Sequence, residues 1–205
     1  MNILHLDASL AADASASRRI SQLIVDGLLR QHPAAQMRYH DLVAEGLPHL
    51  TGAIAAGFRG TVPPGDIDAD IAAEHARSEA LVSEFLDSDL IVIGAPMYNF
   101  SVPSQLKAWM DRIAQPGRTF RYTSDGPVGL AGGRRVVVAS TRGGVYSVGA
   151  AAGMDFQESY LKAFFGFLGI NDVQIVRAER LTKGPELREQ SLAEAGAAVA
   201  AVLAG

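Results

Sequence analysis

The chain of 205 residues carries 18 Lys and Arg against 22 Asp and Glu, a net charge of −4, which gives no electrostatic reason to expect nucleic acid or an anionic membrane surface as a partner. Cysteine is absent, so disulfides, thiolate metal sites and cysteine nucleophiles are excluded. At this length the expectation is one domain spanning 1–205 with a sizeable core.

The N-terminus, Met1 to Asp7, has no basic region and no long apolar stretch, so it does not read as a signal peptide. Residues 2–7 read instead as a first strand. The small polar loop Ala8 to Ser17 follows, then a helix that offers Ile20, Leu23, Ile24, Leu28 and Leu29 to a core before Pro33 stops it. Residues 36–42 read as a second strand. Glu45 to Asp66 form a long connection rich in Gly and Pro, a length usually reserved for functional or disordered segments. A helix over 67–87 leads into the unbroken apolar run Leu90-Ile91-Val92-Ile93, the pattern of a strand buried on both faces of a parallel sheet.

That third strand breaks at Gly94 and Pro96 into the loop Met97-Tyr98-Asn99-Phe100. A helix with Val102, Leu106, Trp109, Met110 and Ile113 on one face follows, with Pro103 near its first turn. Residues 115–133 read as a hairpin-like excursion. Arg134 to Ser140 form a fourth strand, ending in Thr141-Arg142-Gly143-Gly144. A helix through Tyr160, Leu161, Phe164, Phe165 and Leu168 closes at Gly169; residues 173–177 form a fifth strand and 186–203 a last helix. Five strands alternating with five helices imply a doubly wound α/β fold, a flavodoxin-like parallel sheet in the order 2-1-3-4-5 with helices on both faces. The crevice then lies between strands one and three, flanked by the serine loop and the Met-Tyr-Asn-Phe loop. The longest uncharged stretches contain prolines and polar residues and are not membrane spans, so a soluble, cytoplasmic protein is expected.

The first loop runs into a helix N-terminus and offers Ser9, Ser15 and Ser17, with Arg18 close behind. Exposed N–H groups and the helix dipole favour an anion there, although a serine at that position also serves as an ordinary helix cap. Neither G-x-G-x-x-G nor G-x-x-x-x-G-K-[ST] is present, so a dinucleotide turn and a nucleoside triphosphate cradle are not supported. One anion cradle beside one aromatic loop suits a monophosphate with an aromatic body, and flavin mononucleotide (FMN) fits that description. Gly143-Gly144 would let the backbone approach a flat ligand and aim N–H groups at it; a tight turn would explain the same pair. His5, His32, His40, His49 and His75 show no i, i+3 or i, i+4 pairing, and no G-x-S-x-G elbow occurs, so neither a helical zinc motif nor a serine hydrolase is supported.

Ser9, Ser15-Ala16-Ser17, Ala95 to Phe100, Thr119-Phe120-Arg121-Tyr122-Thr123 and Thr141-Arg142-Gly143-Gly144 resemble the bacterial FMN-dependent NADH-azoreductases, members of the flavodoxin-like NAD(P)H:quinone oxidoreductases. The resemblance implies an FMN site made of Ser9, Ser15, Ala16, Ser17, Met97, Tyr98, Asn99, Phe100, Thr141, Arg142, Gly143 and Gly144. Ala16 stands where a polar residue is common in that family, and Thr141 where serine is common. The resemblance further implies a homodimer with the flavin near the interface, and two-electron transfer from NADH or NADPH to quinones or azo compounds. Both substrates would use one flavin face in turn, in ping-pong order. Phe100, Phe120, Tyr122 and Tyr146 are candidate walls for the substrate and Arg59 a candidate contact for the nicotinamide cofactor's phosphate. No residue stands out as a catalytic acid or base, because hydride transfer needs alignment more than proton transfer. A flavodoxin-like electron carrier and a non-redox binding module are the alternative readings.

Overall fold

A computed structural model describes residues 1–58, 61 and 68–204. Its frame is a five-stranded parallel sheet built from β1 (Asn2–Asp7), β2 (Gln36–Asp41), β3 (Leu90–Pro96), β6 (Arg135–Thr141) and β7 (Asp172–Ala178). The spatial order is β2-β1-β3-β6-β7, which is the expected 2-1-3-4-5, because the intervening β4 (Phe120–Thr123) and β5 (Gly126–Gly129) form a separate antiparallel hairpin. Register runs straight across the sheet, from Leu4 to Ile91 to Val136 to Val173.

The central strands β1, β3 and β6 are buried on both faces, and alternate residues of β3 divide between two cores. Leu90 and Val92 pack with Ile20, Ile24, Val25 and Leu28 of α1 (Ala16–Gln31) and with Leu192, Ala195 and Val199 of α6 (Pro185–Ala204). Ile91 and Ile93 pack with Phe85 of α3 (Ala69–Asp87), Trp109 of α4 (Ser104–Ile113) and Phe165 of α5 (Gln157–Phe167). This two-sided burial is why β3 reads as a continuous apolar run rather than an alternating one. Among the described residues no helix is long and apolar enough to cross a membrane.

Two local expectations change. Leu23 is exposed, because α1 turns Ser17, Ser21 and Val25 inward beside Ile20, Ile24 and Leu28. The connection between β2 and α3 contains a short helix, α2 (Gly52–Phe58), capped where the Thr51 hydroxyl accepts the Ile54 N–H at 3.3 Å. Its alanines favour a helix, whereas Gly52 and Gly57 read as breakers. The bare Cα of Gly57 is what lets the ring of His75 on α3 come close.

Arg112 on α4 is wholly buried and holds this side of the molecule together. Its guanidinium donates to Glu74 Oε2 at 2.6 Å, Ser78 Oγ at 2.7 Å and the Pro48 carbonyl at 3.0 Å, tying α4 to α3 and to the β2–α2 segment. Replacing it with Met leaves Glu74 without its cation and the Pro48 carbonyl without its donor. We expect Arg112→Met to lower unfolding stability by about 2–3 kcal/mol, at the lower edge of the range for a broken buried pair because Glu74 keeps some access to water. Urea unfolding monitored by Trp109 fluorescence measures it.

Candidate cofactor-binding site

The carboxyl ends of β1, β3 and β6 bring three loops together, and backbone hydrogen bonds fix them to one another. Ala8 N–H donates to the Gly94 carbonyl at 3.1 Å, and Met97 N–H to the Thr141 carbonyl at 2.7 Å. Leu10 N–H donates to the Tyr98 hydroxyl at 3.0 Å. The serine loop and the Gly-Gly loop are thus both fastened to the Met-Tyr-Asn-Phe loop.

In the first loop the chain makes a single 3₁₀ turn at Ala12–Ala14 and enters α1 through Ser15. Ser15 caps the helix, its hydroxyl accepting the Arg18 N–H at 3.2 Å, and the same hydroxyl lies 3.0 Å from that of Ser17. Ser9, Ser15 and Ser17 are all buried. The N–H groups of Ala16 and Ser17 belong to the first turn, where no intrahelical acceptor exists. The Ser9 hydroxyl accepts the Ala11 N–H at 3.2 Å, and the free N–H groups at the positive end of a 16-residue helix favour an anion beside the Ser15–Ser17 pair. Ala16 contributes only backbone there.

Arg18 braces this loop from behind. Its guanidinium donates to Asp41 at 2.7 Å, the Tyr39 hydroxyl at 3.2 Å and the Ser9 carbonyl at 3.2 Å. The bond to Asp41 raises the Arg18 pKa further. Burial works against the Asp41 carboxylate, but Arg18 and the Ala44 and Val43 N–H groups more than offset it, and its pKa lies below the usual value. Burial first, and the neighbouring Asp7 second, push the Tyr39 phenol up to about 12.

The aromatic loop is a tight turn. Tyr98 and Ser101 exchange backbone hydrogen bonds at 3.0 and 3.1 Å, with Asn99 and Phe100 between them at φ +48° and +70°. Two successive left-handed residues make a type I′ geometry, ordinary for Asn but strained for a Phe. The Phe100 carbonyl accepts the Phe156 N–H at 3.1 Å, and its ring meets Tyr146 edge-on at 6.1 Å.

Arg142 is wholly buried, and both terminal nitrogens of its guanidinium are engaged by protein while Nε has no partner. Its guanidinium donates to Glu158 at 2.6 Å, Asp155 at 2.7 Å, Ser140 at 3.1 Å and Glu179 at 3.4 Å, while its N–H reaches the Ala178 carbonyl at 2.9 Å. The residue braces the loop from inside. Glu179 carries the brace onward, accepting the Tyr146 N–H at 2.7 Å, the Ser147 N–H at 2.9 Å and the Ser147 hydroxyl at 2.5 Å. Neither Gly143 nor Gly144 holds a positive φ. A Cβ at Gly143 would meet the Thr182 side chain at 2.9 Å and one at Gly144 the Tyr146 ring at 3.1 Å, so a larger residue at either position would have to displace a neighbouring side chain.

Between the second and third loops lies a cavity of about 370 Å³, lined by Asn99, Phe100, Gly143, Gly144, Tyr146 and Lys183 among others. A groove of about 790 Å³ opens on the other side of Met97, Tyr98 and Asn99, toward Leu10, Gln105 and Tyr160. Of the expected substrate walls, Phe100 and Tyr146 line the smaller cavity. Phe120 packs in the core on Phe167 at 4.5 Å, Tyr122 is 73% exposed on the hairpin, and neither lines either cavity. Arg59 lies outside the described residues. Sequence reasoning missed Glu179, Thr182 and Lys183, although the rule that ligands gather at strand carboxyl ends applies to β7 as well.

A doubly wound sheet with a serine-bearing helix start at its switch point, beside a cavity that Phe100 and Tyr146 help line, defines a flavodoxin-like nucleotide-binding protein. The chain belongs to the flavodoxin-like fold family, whose model matches residues 1–203. It is 65% identical over 199 residues to an FMN-dependent NADH:quinone oxidoreductase of Ralstonia nicotianae, covering 97% of this chain and 95% of that one. An FMN-dependent NADH:quinone oxidoreductase 2 of Xanthomonas axonopodis pv. citri is 57% identical over 203 residues, covering 99% and 94%. Among solved structures, an FMN-dependent NADH-azoreductase from Bacillus anthracis in complex with FMN superposes with a TM-score of 0.87 at 26% identity, covering 98% of this chain and 99% of that one.

The carboxylates under the Gly-Gly loop set a pH dependence. Burial disfavours the charged forms of Asp155 and Glu179, but their hydrogen-bond donors outweigh it and both pKa values fall below the ordinary 3.8 and 4.5. A depressed folded pKa stabilises fully above the unfolded value and is lost as pH falls through the folded one. The melting temperature should therefore drop as pH is taken from about 5 toward 3. Glu179→Gln should melt lower near neutral pH, by about 1–2 kcal/mol of stability, and show a shallower acid drop. A calorimetric pH series on both proteins measures this.

Proposed function

We propose that this chain is a cytoplasmic FMN-dependent oxidoreductase, one FMN-binding domain over 1–205, that passes two electrons from NADH to quinones and azo compounds. The observation that carries the reading is the interlocking of a serine-lined helix start with the Gly-Gly and aromatic loops in a chain 65% identical to a relative named for that activity.

The residues fit the cofactor. The buried hydroxyls of Ser9, Ser15 and Ser17 and the N–H groups of Ala16 and Ser17 hold the phosphate. The backbone of Met97, Tyr98, Asn99 and Phe100 and the loop Thr141, Gly143 and Gly144 hold the ring, with Arg142 as the internal brace that keeps the loop in shape. When bound, FMN supplies the two-electron chemistry between donor and acceptor. The protein's part is alignment and exclusion of water: Phe100 and Tyr146 wall the slot, and no side chain has to move a proton. Donor and acceptor occupy the slot in turn.

The purified protein should be yellow and release FMN, not FAD, on denaturation. NADH oxidation with a quinone or an azo dye should give parallel initial-rate lines. A colourless protein that also fails to take up added FMN would overturn the reading, and intersecting lines would overturn the shared slot.

The functional unit we propose is a homodimer. Tyr122, Val128 and Leu130 of the hairpin and Leu10, Phe100 and Phe156 around the loops are exposed apolar or aromatic groups beyond what one core uses. On this reading Phe120 shapes the hairpin that Tyr122 offers across the interface, and Arg59 serves the donor's phosphate. Light scattering at micromolar concentration should give twice the chain mass of 21.6 kDa. A fully active monomer would rule this out.

A further inference from the structure

We propose that Lys183, which borders the cavity assigned above to the FMN ring, is a cofactor-tuning residue whose positive charge favours the reduced flavin over the oxidised one. The inference rests on that FMN reading and concerns a residue outside the three motif loops.

Lys183 lines the 370 Å³ cavity together with Asn99, Phe100, Gly143, Gly144 and Tyr146. The short loop after β7 is fastened onto the Gly-Gly loop. Arg180 N–H donates to the Gly144 carbonyl at 3.0 Å, and Thr182 donates to the Gly143 carbonyl through its N–H at 3.3 Å and its hydroxyl at 3.0 Å. Lys183 N–H closes the turn on the Arg180 carbonyl at 3.0 Å. The turn stands between two left-handed residues, Arg180 at φ +63° and Gly184 at φ +118°. A non-glycine residue keeps that conformation only where its surroundings enforce it, and such residues gather at ligand sites. Backbone geometry thus holds Lys183 at the mouth of this cavity.

Its charge is uncompensated, unlike that of its neighbours. Arg142 has Asp155, Glu158 and Glu179; Arg177 has Glu158; Arg180 has Glu194 at 2.8 Å. Lys183 has no carboxylate at ion-pair distance among the described residues, and Glu179, the acid of the same loop, is taken up by Arg142, Tyr146 and Ser147. The N-terminus of α6 begins two residues later and adds partial charge of the same sign. Hydride delivery breaks a C–H bond of the dihydronicotinamide, forms an N–H bond on the flavin and moves two electrons and one proton together. The reduced ring therefore carries one more negative charge than the oxidised ring, and a cation beside it favours the reduced form. Because Lys183 is exposed, salt should weaken the effect.

The test compares the FMN-loaded wild type with K183M and K183R. Anaerobic redox titration with mediator dyes gives the flavin midpoint potential, and fluorescence titration gives the affinity for oxidised FMN. K183M should lose about tenfold of the preference for reduced over oxidised FMN, a fall of about 30 mV for a two-electron couple. K183R should stay within about threefold of wild type, and raising the salt should move wild type toward K183M. Equal potentials in wild type and K183M overturn the proposal, as does equal weakening of both flavin forms, which marks a merely structural residue. An unchanged potential with a selective loss of turnover on anionic quinones also overturns it, because the lysine would then be reading the acceptor. Failure of the wild type to bind FMN at all brings down the FMN reading itself, and with it this inference.

Discussion

A guanidinium taken out of water must be given carboxylates and acceptors, and Arg142 draws them from three separate segments: Asp155 and Glu158 at the start of α5, Ser140 at the end of β6, and Glu179 just past β7. The arrangement turns the desolvation penalty of one cation into a condition on the whole carboxyl edge of the sheet. If α5 or the β7 loop shifts, a buried charge is left unmatched. Arg177 closes the network from outside by pairing with Glu158 at 2.6 Å. The Gly-Gly loop therefore rests on a rigid ionic foundation, and the site residues above it are mostly backbone and small side chains. Such a division suits a ligand recognised by shape and N–H donors rather than by charged side chains.

The cradle after β1 repeats this logic at smaller scale. Arg18 ties the loop carbonyl of Ser9 to Asp41 at the end of β2, and Tyr39 links the same cation to the buried Asp7 at 3.2 Å. In both places an arginine lies behind a loop with its charge met by protein carboxylates. The free donors left to face the crevice are neutral hydroxyls and amides, which hold an anion without requiring a neutralised partner when the crevice is empty.

How much of this could be read from the chain depends on the range of the interaction. The apolar run Leu90 to Ile93 can mean little but a strand covered on both sides, and the sheet order follows from one such strand with its crossovers. The Met97 to Phe100 and Gly143–Gly144 loops stood out because their residue types are costly or unusual where strands end. Legibility failed where tertiary contact overrides local preference. Gly52 and Gly57 look like breakers until the His75 ring is seen to need the space at Gly57. Phe120 reads as a slot wall until its ring is found against Phe167. Glu179 and Lys183 carry no local signature, since their meaning lies in which loop their neighbours happen to touch.

The junction between the β4–β5 hairpin and the end of α5 has a consequence for how this protein can change over generations. Gly129 and Gly169 meet backbone to backbone, and a Cβ built on Gly129 would overlap the main chain of Gly169. The Ala131 N–H also donates to the Leu168 carbonyl at 2.8 Å beside them. Gly169 is doubly constrained, because it ends α5 at φ +93° with Ile170 and Gly169 N–H groups reaching back to the Phe165 and Gly166 carbonyls, each at 2.9 Å. A methyl group at Gly129 would prise the hairpin from the helix, and one at Gly169 would strain its left-handed backbone and crowd Gly129 at 3.1 Å. The pair acts as an evolutionary latch: a side chain at this point of attachment is penalised by the main-chain contact itself, whatever the rest of the hairpin carries.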